Sequence, residues 1–232
     1  MREAIESVVA QTFQDWELLI VDDASRDSSA EIAREFEQKD ARIHLLFNKN
    51  HTGIPSTPRN EGLRAAQGRY IAFIDSDDLW ESNKLEQQLP LFTDKVAVVF
   101  SNYEKINENG ERRQRIVTAP QKINYEKLLL SNVIAMVTGI YDTQLVGKIE
   151  FLDVHHEDYA MWLTILKKGF TARNTNSVTA ALRMRKGSVS YNKLCILSWQ
   201  WRIYRDVEHL PFFRSIYYYA NYAVKGLLKS LI

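Results

Sequence analysis

The chain has 232 residues, 45% of them apolar and 25% charged, with 30 Lys and Arg against 29 Asp and Glu for a formal balance of +1. That length and apolar share suit one large domain, or a domain with an appendage, and exclude a largely disordered chain. A balance near zero argues against a protein built mainly to grip nucleic acid, and a single cysteine, Cys195, excludes an internal disulfide framework and four-thiolate zinc sites, which fits a reducing, cytoplasmic setting.

Residues 2–12 place Ile5, Val8, Val9 and Thr12 at helical spacing. Trp16 to Val21 is a nearly continuous apolar run ending in Asp22-Asp23, the pattern of a parallel strand buried on both faces. Asp27 or Ser28 is placed to cap a helix containing Ile32, Ala33 and Phe36. A strand from Ile43 to Phe47 then leads into an irregular loop, Asn48 to Pro58, and a helix over 59–67 is expected to stop at Gly68. The strand Tyr70 to Ile74 runs into Asp75-Ser76-Asp77-Asp78. This rhythm predicts a parallel sheet with helices on both faces, with acids at the C-terminal ends of two strands, where open parallel sheets hold ligands.

Further on, Val96 to Tyr103 and Arg113 to Thr118 flank Asn109-Gly110, a hairpin signal. A short helix near 124–131, a strand near 134–141, a helix from about 157 to 168 closed by Gly169, and an extended stretch over 170–184 follow. Two helices, roughly 192–208 and 212–230, are separated by Pro211. No run reaches the ~20 apolar residues needed to cross a bilayer, since Ile216 to Ile232 is broken by Asn221, Lys225 and Lys229, and the first six residues lack the apolar segment of a secretion signal.

Asp75, Asp77 and Asp78 repel one another unless a cation or hydrogen-bond donors offset the charge. Mg²⁺ or Mn²⁺, shared with a nucleotide diphosphate, is one solution, and a polar turn capping the next helix is the other. For Asp22 and Asp23, one is expected to accept hydrogen bonds from a base or ribose while the other caps a helix.

Several stretches together resemble family-2 glycosyltransferases: Gln11-Thr12-Phe13 with Trp16 to Ser25, Pro58-Arg59-Asn60-Glu61-Gly62-Leu63, Gly68 to Asp78, and His156-Glu157-Asp158 with Trp162. The similarity runs from about residue 3 to 193 and is strongest to bacterial enzymes of surface-polysaccharide, teichuronic-acid type. It implies a GT-A fold, a mainly parallel Rossmann-like sheet over 1–193 with a nucleotide-sugar half (1–103), an acceptor half (104–193) and a helical extension (194–232). By resemblance, Asp23 meets the nucleobase, with Asp22 beside it. Arg59 lies near base and phosphates, Asp77 meets the ribose, and Asp78 holds the divalent ion, with Asp75 and Asp77 able to contribute. Asp158 is the general base, and Glu157 and Trp162 face the acceptor. The implied partners are a nucleotide-diphospho-sugar, UDP-linked above all, and a saccharide or lipid-linked acceptor at the inner face of the membrane.

Inverting transfer needs a cation opposite the departing diphosphate and a carboxylate that takes the acceptor's proton, held in line on opposite faces of the sugar carbon. Asp158 also has a plain reading, an acid in a first helical turn favoured by the dipole, and Glu157 is the neighbouring candidate base. Arg183-Met184-Arg185 and the following Lys186 to Ser190 form either a segment that closes over the diphosphate or a solvated basic loop. The processive signature Gln-x-x-Arg-Trp is absent, so single-sugar transfer is expected. His155 and His156, being adjacent, are expected to be solvated or helix-capping. The last helix sets Phe213, Ile216, Tyr217, Ala220, Val224, Leu227, Leu228 and Leu231 along one stripe, to pack on the core or a second subunit, or to touch an anionic membrane.

The family usually opens with a buried strand near Val-Ser-Val-Ile-x-Pro and a Tyr-Asn loop, whereas this chain starts inside the next helix. The expectation is a shortened form of a longer enzyme, with unpaired strand edges, a groove in the core and weak or absent nucleotide affinity. Two rivals remain: a catalytically dead sugar- or nucleotide-binding module of the same fold, and a receiver-type phospho-acceptor domain using the acid pair after Leu19-Ile20-Val21. The receiver reading lacks the expected Lys-Pro pair and has a helix ahead of its first strand.

Overall fold

The computed structural model describes residues 1–48, 53–185 and 193–231, and the side chains of 193, 194 and 227–231 fall outside that description. Residues 186–190 of the expected closing segment, and the tip of the Asn48 to Pro58 loop, therefore lie outside the described residues.

The chain runs α1 (Arg2–Val9), β1 (Leu18–Asp22), α2 (Ser29–Glu37), β2 (Ile43–Phe47), α3 (Ser56–Ala65), β3 (Tyr70–Ala72), β4 (Leu79–Trp80), α4 (Lys84–Gln88), β5 (Val96–Ile106), β6 (Arg112–Val117), β7 (Lys122–Ile123), α5 (Tyr125–Leu129), β8 (Ile140–Asp142), α6 (Thr143–Val146), α7 (Glu157–Lys167), β9 (Thr171–Arg183), α8 (Lys193–Arg202) and α9 (Phe212–Leu231). Most expected elements form. The strand expected over 134–141 is instead a 3₁₀ turn, Met136–Thr138, followed by the three-residue β8, and the helix expected over 192–208 ends at Arg202 and continues as a π-helical stretch, Ile203–Val207. The helix expected over 59–67 starts at Ser56, with Pro58 in its first turn, where a missing N–H costs nothing.

The strands make two sheets. β1 and β2 pair in parallel from Leu18↔Ile43 to Asp22↔Phe47. The other sheet has the order β3-β8-β5-β9-β4, with β6 on β5 and β7 on β9. Its long central pair, β5 and β9, is parallel, while β8 runs antiparallel to both β3 and β5, so the α/β architecture carries a mixed sheet. Among the described strands, β1 pairs only with β2 and β3 only with β8, so the two sheets are not hydrogen-bonded to each other. They are tied together by side chains instead. Glu17 Oε1 accepts the N–H groups of Gln67 and Gly68 at 2.7 and 2.8 Å. Buried Gln11, after α1, donates to the Glu81 carbonyl at 2.8 Å and accepts from the Leu85 N–H at 3.1 Å.

The amphipathic α1 buries Ala4, Ile5 and Val8, and Ile5 joins Ile20, Ala33 and Ile43 over the small sheet. The main core lies beneath the large sheet, where α7 buries seven of its eleven residues, among them Tyr159, Trp162 and Ile165. A Cβ on Gly139 would lie 2.5 Å from the Trp162 ring, so glycine is required for α7 to approach the 3₁₀ turn. Gly169, at φ +94°, closes α7 in the left-handed region that glycine favours.

Candidate active site

After β3 the chain turns through Asp75–Asp78, with the Asp78 N–H donating to the Asp75 carbonyl at 3.0 Å. It then enters β4, whose Leu79 and Trp80 pair antiparallel with Ala181 and Ala180 of β9. That pairing draws Asp78 inward until it is nearly buried, with Oδ1 accepting the Arg183 N–H at 2.9 Å. Burial pushes the Asp78 carboxyl up to about 7, and the nearby charges of Asp75 and Asp77 push the same way.

For Arg183 the sequence left open a segment closing over a diphosphate or a solvated basic loop; in the structure its side chain is largely buried. With only 8% of that side chain exposed, it donates through Nε to the Asp77 carbonyl at 2.7 Å, through Nη1 to the Glu108 carbonyl at 3.0 Å, and through Nη2 to Glu3 Oε2 at 2.5 Å. It clamps the acidic turn between α1 and the β5–β6 hairpin. Arg185 is the accessible cation, its Nε 2.9 Å from Asp77 Oδ2. Asp77, Ser76, Glu3, Glu108 and the two arginines face a cleft of about 580 Å³.

Arg59, in the first turn of α3, links this turn to α7. Its Nη2 lies 2.7 Å from Asp75 Oδ1 and its Nη1 2.5 Å from Glu157 Oε1, and the guanidinium sits over the Phe151 ring at 5.6 Å. Burial works against the Arg59 charge, but Asp75, Glu157 and Asp158 outweigh it and raise the group further. Arg59, expected near base and phosphates, and Glu157, expected at the acceptor, thus pair with each other in the structure. Asn60 explains the fixed spacing: its Nδ2 donates to the Phe151 carbonyl at 2.9 Å and its Oδ1 accepts the Phe151 N–H at 2.7 Å, pinning the segment that leads into α7.

Asp158 lies in the first turn of α7. Its Oδ1 accepts the N–H of Tyr159 at 2.7 Å, and Asn132 Nδ2 stands 3.4 Å from Oδ2, a long contact. Burial and the Glu157 charge raise its carboxyl to about 6, against the opposing pull of the Tyr159 N–H, Arg59 and Asn132. Among ionisable groups a carboxylate poised there suits a proton acceptor near neutral pH.

Three other expectations are corrected or divided. Trp162 is fully buried against Gly139 and edge-on to Tyr141, so it braces the core behind Asp158 and does not open onto an acceptor. His155 is exposed as expected while stacking on Trp199 with ring centroids 4.1 Å apart, and His156, at φ +62°, occupies the N-cap position of α7 without a side-chain cap hydrogen bond and meets the same ring edge-on. Of the acid pair after β1, Asp22 is the turn-former, buried and accepting the Ser25 N–H at 3.2 Å, while Asp23 accepts from Asn48 Nδ2 at 2.9 Å.

One supporting residue gave no signal in sequence. Lys84 is fully buried, donates to the Thr138 carbonyl at 2.9 Å and contacts Gln88. Burial pushes its amine well below the usual value, and it buttresses the 3₁₀ turn that packs on α7.

A divalent cation fits this site in a limited way. Among the described residues no group of three or more His, Cys, Asp or Glu is arranged to hold a metal. Mg²⁺ and Mn²⁺ at diphosphate sites take only one or two protein carboxylates and complete their shell with phosphate oxygens and water. Asp77 and Asp78 supply such a pair, and a cation would offset the burial and, after it, the neighbouring charges that raise Asp78.

The fold is shared with solved glycosyltransferases. TarS of S. aureus in complex with UDP-GlcNAc superposes with a TM-score of 0.67 at 20% identity, covering 95% of this chain and 67% of that one. The mannosyltransferase PcManGT from Pyrobaculum calidifontis, in complex with GDP-Man and Mn²⁺, gives 0.67 at 16% identity, covering 90% and 60%. These likenesses show the class of fold, that of GT-A glycosyltransferases. The family model for Glycosyl transferase family 2 matches residues 1–144. TuaG of Bacillus subtilis, named for teichuronic acid biosynthesis, is 34% identical over 100% of this chain and 92% of its own. WfgD of Escherichia coli, named as a UDP-Glc:alpha-D-GlcNAc-diphosphoundecaprenol beta-1,3-glucosyltransferase, is 40% identical over 97% and 88%. The chain belongs to glycosyltransferase family 2, among its enzymes of surface-polysaccharide type.

Proposed function

We propose that the chain moves one sugar, with inversion, from a UDP-sugar to the hydroxyl of a lipid-linked saccharide, using a divalent cation. The observation that carries this reading is the Arg59 bridge, which ties the acidic turn through Asp75 to the α7 turn holding Asp158. Asp158 takes the acceptor's proton as the new bond from acceptor oxygen to sugar carbon forms. The bond from that carbon to the phosphate oxygen breaks, and the diphosphate leaves with the electron pair. A cation held by Asp77 and Asp78 would offset the charge gathering on that leaving group. Arg185 exchanges Asp77 for phosphate oxygens, Arg183 keeps the turn in place, and Asp23 meets the base. The names of WfgD and of the UDP-GlcNAc complex support the choice of UDP, and the former supports a lipid-linked acceptor.

A binding module without turnover is the second reading, favoured by the pairing of β1 with β2 alone, which leaves Asp22 and Asp23 on a two-stranded sheet. Calorimetric titration with a panel of nucleotide sugars, with and without Mn²⁺, followed by product analysis with a diphospholipid-linked sugar, separates the two. Metal-dependent binding with a product of inverted configuration supports transfer. Binding without product supports the module, and no binding of any nucleotide sugar contradicts both.

A further inference from the structure

We propose that α9 rests on an anionic lipid surface, with its outward apolar stripe in the headgroup boundary and its inward face toward Asp158. This deepens the reading of a lipid-linked acceptor and rests on it only for the use made of the contact.

The helix has two apolar faces. Inward, Ser215 and Tyr218 are buried, Tyr218 hydrogen-bonds Glu126 and lies against Tyr204, and Tyr222 is close enough to Asp158 that the carboxylate helps hold its hydroxyl up at about 12, after burial. Outward, Phe213 is 83% exposed, Tyr217 58%, Val224 55% and Ile216 43%. Their spacing of three, four and eleven residues from Phe213 puts them on one side of a helix. A solvated helix would carry polar groups there. Contiguous exposed aromatic and aliphatic side chains mark an interaction surface.

Charge selects the occupant. Residues 193–232 carry six Lys and Arg against two acids, in a chain whose overall balance is only +1; α9 itself has no acid and holds Lys225, Lys229 and Arg214, the last paired with Glu126 at 3.0 Å. A second copy docked helix to helix would bring these cations together, whereas anionic headgroups complement them. No described helix is long and apolar enough to cross a membrane, so the contact is one of lying on the surface.

The test is co-sedimentation of the whole chain with vesicles of phosphatidylglycerol and phosphatidylcholine, compared with phosphatidylcholine alone and with a variant carrying Phe213→Ser and Tyr217→Ser. The expected result is binding to the anionic vesicles that weakens with salt, and a partition coefficient at least about tenfold lower for the variant. Nucleotide-sugar titration should be unchanged by the substitutions, so failure of lipid binding and failure of the transferase reading are separately visible. The proposal is overturned if the wild-type chain stays in the supernatant, or if the variant sediments like wild type. It is equally overturned if the stripe instead drives a concentration-dependent dimer that the substitutions abolish.

Discussion

Two acids, Asp78 and Asp158, are both pushed up by burial, to about 7 and about 6, yet their surroundings differ in kind. Asp78 shares its corner with Asp75, paired to Arg59, and Asp77, paired to Arg185, and accepts a backbone N–H from Arg183, whose guanidinium turns to carbonyls and Glu3. Asp158 has one acid beside it, Glu157, whose charge Arg59 already answers, and donors in Tyr159 N–H and Asn132. In the first corner the guanidiniums sit on Asp75 and Asp77, so Asp78 keeps a backbone N–H as its hydrogen-bond partner and is the carboxylate a cation would relieve. In the second, Arg59 is shared between Asp75 and Glu157, and Asp158 keeps neutral donors, a carboxylate poised to take a proton. Burial alone does not decide a role; the charge that accompanies it does.

The largest expected effect breaks the second corner. Asp158→Asn should lower the transfer rate by about 10²–10⁴-fold, as loss of a general base does, with nucleotide-sugar affinity retained in calorimetry. Next in size, Asp78→Asn should weaken metal-dependent nucleotide-sugar binding by at least about tenfold while raising the stability of the metal-free protein at neutral pH by on the order of 1 kcal/mol, read as a higher Tm. Asn still accepts the Arg183 N–H but carries no buried charge.

Gly139→Ala probes the wall behind Asp158. The added methyl meets Trp162 at 2.5 Å, and overpacking of this sort costs about 1–3 kcal/mol in denaturant unfolding. The smallest effect is a pH shift. Because Asp158 must be ionised to act, the transfer rate should rise with pH through about 6 and then level. Arg59 favours the ionised form, so Arg59→Met should move that acidic limb to higher pH. The sign for stability is opposite: the folded chain holds the Asp158 proton more tightly than the unfolded one, whose value is near 3.8, so stability from this group falls as pH rises from there through about 6.

The acids were legible because they sit at the ends of strands that apolar runs announce, and because the motifs around Arg59 and Asp158 resemble a known family. Their partners were not. Arg183 and Arg185 read alike as cations, but only burial under α1 and the β5–β6 hairpin makes one a clamp and leaves the other accessible. Trp162 and Lys84 were misplaced or missed because whether a helical side chain faces a cleft or a core depends on long-range packing, here of the turn at Met136–Thr138. The mixed sheet was hidden for a related reason: β8 and β4 are two or three residues long, too short to show a period, yet they set strand direction.

The most direct test is a paired measurement on Asp158→Asn: calorimetric affinity for the UDP-sugar with Mn²⁺, and turnover with a diphospholipid-linked acceptor. Wild-type affinity with turnover lost is the predicted outcome. Turnover near the wild-type rate, or affinity lost together with turnover, would contradict the division of labour between the acidic turn and α7.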